Sequence, residues 1–361
     1  MKTDSIQILV INTGSTSTKL ALFRDEELIT SESADHTLHG LDKYDTVAEQ
    51  IPMRTEAVLQ FLAKNNTRPD QVDVIAARGG AFGIFQGGGY EIDDAILALA
   101  SVPREGFPMT ASSLSVLIAG ELKKQYGIPA YFYDAVRTDE LCDLARYSGV
   151  SFIPRIAGAH PLNTKEVGRR AAAHLGSHYE DLNLLILHLG GGISVEMHEK
   201  GRMIDKICSE EGSITPERAG KIPNDSLVEL CFSGCYTQKE LMKLLRGRGG
   251  LIDYLGTSDM QKITTAAEEG DEKARTMIEV MAYMTAKDAG ALATTVKGRI
   301  DQVIFTGGLA YSDLFTSLLR ERLSFLAPVM IIPGSFELEA LAHGVLRIMN
   351  RQEEAHRYEE G

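Results

Sequence analysis

The sequence predicts a two-lobed α/β protein in which one anion-binding strand–loop–strand unit occurs twice. Three observations lead there. Residues 8–23 read ILVINTGSTSTKLALF and residues 184–198 read LLILHLGGGISVEMH, each a run of β-formers, a Gly/Ser/Thr turn and a second run that begins to alternate. A glycine-rich turn between strands exposes backbone N–H groups that cradle an anion, and hydroxyls add donors. Strand-like and helix-like runs then alternate throughout, the pattern of layered α/β domains. Finally, 361 residues with 44% hydrophobic content suffice for two cores. Two cradles, one per half, suit lobes that grip one polyphosphate between them: a duplicated ATP-binding fold built for phosphoryl transfer.

In chain order, β-forming runs predict strands at 6–12 and 18–23 around the first loop, then at 72–77 and 130–133. Further strands are expected at 184–189 and 193–198 around the second loop, and at 302–306. Apolar residues at helical spacing predict helices at 45–65, 91–101, 111–125, 164–176, 237–246, 260–269, 273–297 and 313–325, with a last one from Glu337. The longest pattern closes at Gly298 between Lys297 and Arg299, basic residues where the helix dipole favours them, and its Met, Ala and Tyr on several faces predict a buried helix. The least regular stretches, 79–90, 149–163 and 205–225, are expected to be functional loops, and the polar tail 350–361 to be frayed.

A formal charge of −13 argues against nucleic acid or an anionic membrane as partner. An anionic substrate is repelled at long range, so its site must rest on a few arginines and backbone amides. Cys142, Cys208, Cys231 and Cys235 form no Cys-x-x-Cys pair and read as free buried or half-buried thiols, not a zinc site. The pairs His36/His39 and His174/His178 have metal-like spacing without a third ligand and read as surface. The N-terminus lacks a signal-length apolar stretch and no run of about 18 apolar residues occurs, so a soluble cytoplasmic protein is expected.

The first loop runs from Asn12 through Gly14, Ser15 and Ser17 to Lys19. Its short polar groups suit phosphate or hydrated Mg²⁺; read alone, it is also a plain polar hairpin turn. It is not a Walker A loop, since no glycine immediately precedes Lys19, and no Gly-x-Gly-x-x-Gly follows a strand. The second loop, Gly190-Gly191-Gly192 with Ser194, gives up packing between two strong strands, which close approach of a ligand would compensate. Gly307-Gly308 ends a strand ahead of a helix, the ligand edge of many α/β sheets. Arg78 ends a strand before two glycines. Thr215 and Pro216 read as the cap and first residue of a short helix, which sets Arg218 beside unpaired N–H groups. Each arginine alone is also a surface ion-pair residue. His160, in an irregular segment, is structural or functional, and Asp134, at a strand end, is a cap or a catalytic carboxylate.

Taken together, the motifs VINTGSTSTK, RGG, YDAVRTDE, HPLNTK, HLGGGISV, TPERAGKIP, FTGGLAYS and PGSFELEALAHGVLR resemble, over nearly the whole length, the acetate and butyrate kinase family. The likeness is nearer the butyrate kinase branch: acetate kinases are longer and carry Phe-His-Gly-Thr-Ser-His where this chain has AHPLNTK. The resemblance implies the duplicated ribonuclease-H-like fold shared with sugar kinases, actin and Hsp70, with ATP in the cleft between lobes that close on it. The first lobe is expected at 1–155 plus 334–361, including the returning C-terminal helix, and the second at 156–333. It further implies Arg78, Asp134, His160 and Arg218 as active-site residues. Asn12 and Glu337 would serve Mg²⁺, with Glu339 as competitor. Gly14, Ser15, Ser17 and Lys19 belong to the first phosphate loop, His188, Gly190, Gly191 and Gly192 to the second, and Gly307 and Gly308 to the nucleoside side. Three departures bear on the choice of acid: Thr13 and Ala135 where butyrate kinases usually have proline, and Ala219 where they usually have serine.

The expected reaction is reversible transfer of the ATP γ-phosphoryl to butyrate or a branched four- or five-carbon acid, giving an acyl phosphate and ADP. The expected partners are that carboxylate and further copies of the chain, as a homodimer or higher homo-oligomer. Two alternatives remain open from sequence: a hydroxyl-directed sugar kinase using Asp134 as base, and a non-catalytic nucleotide-binding regulator.

Overall fold

The β-forming runs fall into two sets, and each set closes into its own sheet. The computed structural model describes residues 5–37 and 40–358. They cluster into two units: one holds the described chain up to Asp139, Pro161–Glu166 and the chain from Phe336, the other Glu140–His160 and Val167–Ser335.

In the first unit, β1 (Gln7–Thr13), β2 (Ser17–Arg24) and β3 (Glu27–Asp35) form an antiparallel meander. β4 (Val74–Arg78) joins β1 in parallel, β6 (Ala130–Tyr133) joins β4 in parallel, and β5 (Gly89–Glu91) closes the edge antiparallel. The order is β3-β2-β1-β4-β6-β5. β1 is buried on both faces, hence its unbroken apolar run. Leu9 and Ile11 face a core shared with α1 (Ile51–Lys64), α2 (Asp94–Ser101) and α3 (Leu114–Tyr126). Ile8 and Val10 face Leu341 and Val345 of α11 (Glu337–Met349). One strand therefore needs both a helix layer from early sequence and the last helix of the chain.

The second unit repeats the topology. β7 (Asn183–Leu189), β8 (Ile193–Glu199) and β9 (Arg202–Cys208) form the meander, and β10 (Gln302–Gly307) and β11 (Val329–Pro333) extend it in parallel from β7. Read as β9-β8-β7-β10-β11, the order matches β3-β2-β1-β4-β6 strand for strand. α9 (Glu272–Ala293) buries Ile278, Met281 and Ala289 against this sheet, and α10 (Asp313–Leu323) adds Phe315 and Leu319. The remaining helices are α4 (Pro161–His174), α5 (Asn224–Phe232), α6 (Gln238–Leu245), α7 (Leu251–Leu255) and α8 (Met260–Glu268). α4 is divided: Pro161–Glu166 cluster with the first unit and the rest with the second.

Several expectations are corrected. α1 starts at Ile51, not 45, with Pro52 in the first turn where its missing N–H costs nothing. α2 starts at Asp94, capped by Asp93, because Gly89–Glu91 pairs with β6. β3, β5, β9, β11, α5 and α7 were not expected; α5 buries none of its residues. The stretch from 205 continues β9 before it becomes irregular. The tail is docked through Tyr358: His356 exchanges backbone bonds with Gly89 and Glu91, and Glu353 accepts from the Tyr133 hydroxyl. His36 is buried, 2.9 Å from the Thr18 hydroxyl; His39 lies outside the described residues.

Candidate active site

In the first unit the parallel strands β1 and β4 end side by side, and α11 begins beside them. This brings three of the expected residues together. Asn12 Nδ2 donates to Glu337 Oε2 at 2.8 Å, while Arg78 Nη1 donates to Asn12 Oδ1 and Glu337 Oε2, each at 3.2 Å. Asn12 is buried and the other two side chains are mostly covered. Of the two competing carboxylates, Glu337 makes these bonds. Thr13 sits where proline is usual, and its N–H donates to the Ser115 hydroxyl at 2.9 Å, a bond proline could not make.

The first loop is a tight turn closed by Gly14 N–H to Ser17 O at 2.8 Å. Ser15 and Lys19 are exposed. Behind the turn lies a residue missed from sequence. Arg54 of α1 is 0% exposed, and its guanidinium donates to Ser17 O at 2.9 Å, Ser15 O at 3.1 Å and Thr18 Oγ1 at 3.0 Å. Its other bonds go to Gln50 Oε1, at 2.9 and 3.2 Å. None of these acceptors is a carboxylate, and burial pulls the guanidinium pKa below its ordinary value. With the Ser15 and Ser17 carbonyls turned inward, the Ser15 and Thr16 amides donate to no group among the described residues. The only sequence trace of this brace is Gln50 four residues before Arg54, one helical turn.

Asp134 follows β6 with φ 37°, and is 3% exposed. Its carboxylate accepts from Gly88 N–H at 2.9 Å and from the buried Lys165 ammonium at 3.2 Å. Lys165 lies in the HPLNTK motif but was not assigned a role from sequence.

In the second unit the glycine loop joins β7 to β8. The Thr215–Arg218 segment is not the start of a helix. The Thr215 hydroxyl accepts from the Glu217 and Arg218 N–H groups as a cap would, yet the chain turns away to pair Arg218 with Arg246 and passes Gly220 at φ 66°. That same hydroxyl donates to Gly191 O at 2.7 Å, tying the segment to the loop. A Cβ on Gly192 would stand 2.8 Å from Arg218 Cζ, so this position is glycine because the guanidinium lies on it. Arg218 donates to Ser209 Oγ at 3.1 Å and lines a pocket with Ile222, Leu227, Met242, Leu245 and Arg246. His188 stacks on His160, centroids 4.0 Å apart and planes 8° off parallel. Ser194 does not face the loop's outer side: it is buried and bonded to His160 and Glu196. Gly307 has φ 90° and presses on the Leu189 backbone, where a Cβ would come within 2.3 Å of a carbonyl oxygen, so the packing of β10 on β7 requires glycine there. Gly308 is open.

Comparison with known proteins identifies the family. The Acetokinase family model matches residues 144–325. Butyrate kinase 2 of Clostridium acetobutylicum is 40% identical over 98% of this chain and 99% of its own length. The chain belongs to the acetokinase family. A probable butyrate kinase of Phocaeicola vulgatus is 44% identical over 94% of this chain and 96% of its own. Among solved structures, Porphyromonas gingivalis acetate kinase superposes with a TM-score of 0.79 at 17% identity, covering 95% of this chain and all of that one. A Francisella tularensis propionate kinase gives 0.78 at 18%, covering 94% and 98%. The acetokinase fold is thus the two-lobed α/β fold expected from sequence. No helix among the described residues is long and apolar enough to cross a membrane.

Proposed function

We propose that this acetokinase-family protein phosphorylates a short-chain carboxylate with ATP, reversibly, with butyrate or a branched four- or five-carbon acid as substrate. The observation that carries the choice of acceptor is Asp134. A hydroxyl-directed kinase needs a carboxylate base to take the hydroxyl proton, and the one expected for that task is buried between Lys165 and Gly88 N–H. A carboxylic acid needs no base: with a pKa of about 4 to 5 it is ionised at neutral pH. The near full-length likeness to butyrate kinases supports the same choice.

In the reaction a carboxylate oxygen attacks the γ-phosphorus, the bond to the bridging oxygen breaks, and ADP leaves with the electron pair. The difficulty is charge, because an anion must approach an anion. Arg218 on the glycine loop, Arg78, and His160 as donor serve to neutralise the phosphoryl oxygens, while the first-loop amides hold phosphate. Magnesium fits the first unit's donors. Asn12 Oδ1 and the Glu337 carboxylate are hard oxygen ligands of the kind it takes, and Arg78 already sets a cation on both. Bound there, it would share the charge of the phosphate oxygens.

The test is ATP-dependent acyl phosphate formation, trapped with hydroxylamine, across acids from acetate to valerate with branched isomers and a glucose control. An optimum at four or five carbons is expected. Phosphorylation of glucose with silence on every acid would overturn the reading.

A further inference from the structure

Behind His160 a line of polar groups runs along one face of β8. Ser194, Glu196 and His198 alternate with Val195 and Met197, so the polar set shares one face while the apolar set joins the core on the other. All three polar side chains are 0% exposed. His160 Nδ1 is 2.9 Å from Ser194 Oγ, and Ser194 donates to Glu196 Oε1 at 2.7 Å. The same Oε1 accepts the His160 backbone N–H at 3.1 Å. Glu196 Oε2 lies 3.4 Å from His198 Nε2, and His198 Nδ1 lies 2.6 Å from the Tyr179 hydroxyl.

The directions of these bonds decide which nitrogen of His160 carries its proton. The Ser194 hydroxyl and the His160 N–H both direct their protons at Glu196 Oε1, the arrangement that suits an ionised carboxylate, which only accepts. A serine hydroxyl has one proton; Ser194 gives it to Glu196 and can only accept from His160. The His160 proton therefore sits on Nδ1, and in the neutral ring Nε2 has a lone pair and no hydrogen. For His160 to donate from Nε2, as the function above requires, the ring must be doubly protonated.

We propose that Glu196, acting through Ser194, is a positioning residue for His160. It fixes the Nδ1–H tautomer and supplies, one hydroxyl away, the negative charge that a half-buried imidazolium needs. His188 holds the ring plane from the side by stacking. The alternating SVEMH segment carries this arrangement in sequence as a polar face on a strand with an apolar core face. The proposal rests on the reading of His160 as a donor to the phosphoryl group.

The experiment is ¹⁵N NMR of histidine-labelled protein, with His160 assigned by the signals lost in His160→Gln, alongside steady-state kinetics of Ser194→Ala and Glu196→Gln. The parent is expected in the Nδ1–H form. Ser194→Ala should give a mixture with Nε2–H, and both variants should lose at least tenfold in kcat with the KM for ATP within about twofold. Nε2–H in the parent overturns the proposal whether or not a variant folds. So does an unchanged tautomer in Ser194→Ala, or a changed tautomer with parental kcat. If the parent phosphorylates no acid while its tautomer responds as expected, the assigned reaction falls and the positioning role of Glu196 stands.

Discussion

Replacing Arg54 with methionine should weaken ATP far more than adenosine. Arg54 Nη2 is 3.1 Å from Ser15 O. Across the Ser15–Thr16 peptide the oxygen-to-nitrogen distance is about 2.2 Å, and an anion on the Thr16 N–H adds about 2.9 Å. The guanidinium and a phosphate oxygen in this turn are then roughly 8 Å apart. At an effective dielectric of about 20 that is ~2 kcal/mol per phosphate charge. Because Ser15 and Thr16 are exposed, screening reduces it to about 1 kcal/mol, or roughly fivefold in Kd. Stability changes as well. The bonds to Ser15 O, Ser17 O and Thr18 Oγ1 are worth about 1 kcal/mol each, and relief of the buried charge returns part of that. Calorimetric titration of ATP, ADP and adenosine separates the two effects. The loss should shrink with phosphate number and vanish for adenosine, and Arg54→Lys, which keeps the charge, should bind ATP within about twofold of the parent. Equal weakening of adenosine and ATP, or a lysine variant as weak as methionine, would refute the electrostatic role.

Arg218→Ala should lower turnover by roughly a thousandfold in the hydroxylamine assay while ATP affinity, read by calorimetry, stays nearly parental; activity within threefold of the parent would sink its role. Gly192→Ala puts a methyl group where the Arg218 guanidinium lies, so kcat should fall about tenfold or more with an unchanged melting temperature. Asp288, buried on α9, has its carboxyl pKa raised by burial, against the opposing pull of Lys221. Its folded form binds the proton more tightly than the unfolded chain, so its favourable contribution is present below about pH 4 and is lost as pH rises through the raised value. Asp288→Asn should flatten that decline and raise stability at neutral pH, measured by scanning calorimetry from pH 4 to 8.

The parts legible in the sequence were those whose signal is local. β1, β2 and β7 announce themselves because strands covered on both faces carry apolar runs beside a polar turn, and β8 because it follows that turn with apolar residues at alternate positions. Edge strands such as β3, exposed at most alternate positions, have little apolar content to show. The site divides the same way. Asn12 and Arg78 stand out in the sequence as a loop residue and a strand-end residue, whereas Glu337, 259 positions beyond Arg78, enters only through the family resemblance. Arg54 could not be found so: a lone arginine in a helix reads as solvated, and only the tertiary fold reveals that it faces the inside of the first loop. Thr215–Pro216 shows the converse failure. The capping hydroxyl behaves as its sequence predicts, but the Gly191 carbonyl and the pairing with Arg246 decide the path of the chain.

A chain with formal charge −13 has to collect anions without attracting them from afar. The two glycine-loop units answer this in the same way, with an arginine whose hydrogen bonds among the described residues reach no carboxylate. Arg54 spends its donors on carbonyls, a hydroxyl and an amide oxygen, and Arg218 on the Ser209 hydroxyl. Arg78, by contrast, is held by Glu337 and shares its charge with that carboxylate. An unneutralised guanidinium in a folded protein costs solvation, and burial accordingly pulls the Arg54 pKa below its ordinary value. A phosphate oxygen at the loop offsets that cost where the charge is not already paired, so nucleotide binding should raise the melting temperature of the parent more than that of Arg54→Met. Equal shifts for the two proteins at saturating ATP would mean that the buried charge contributes nothing to holding phosphate.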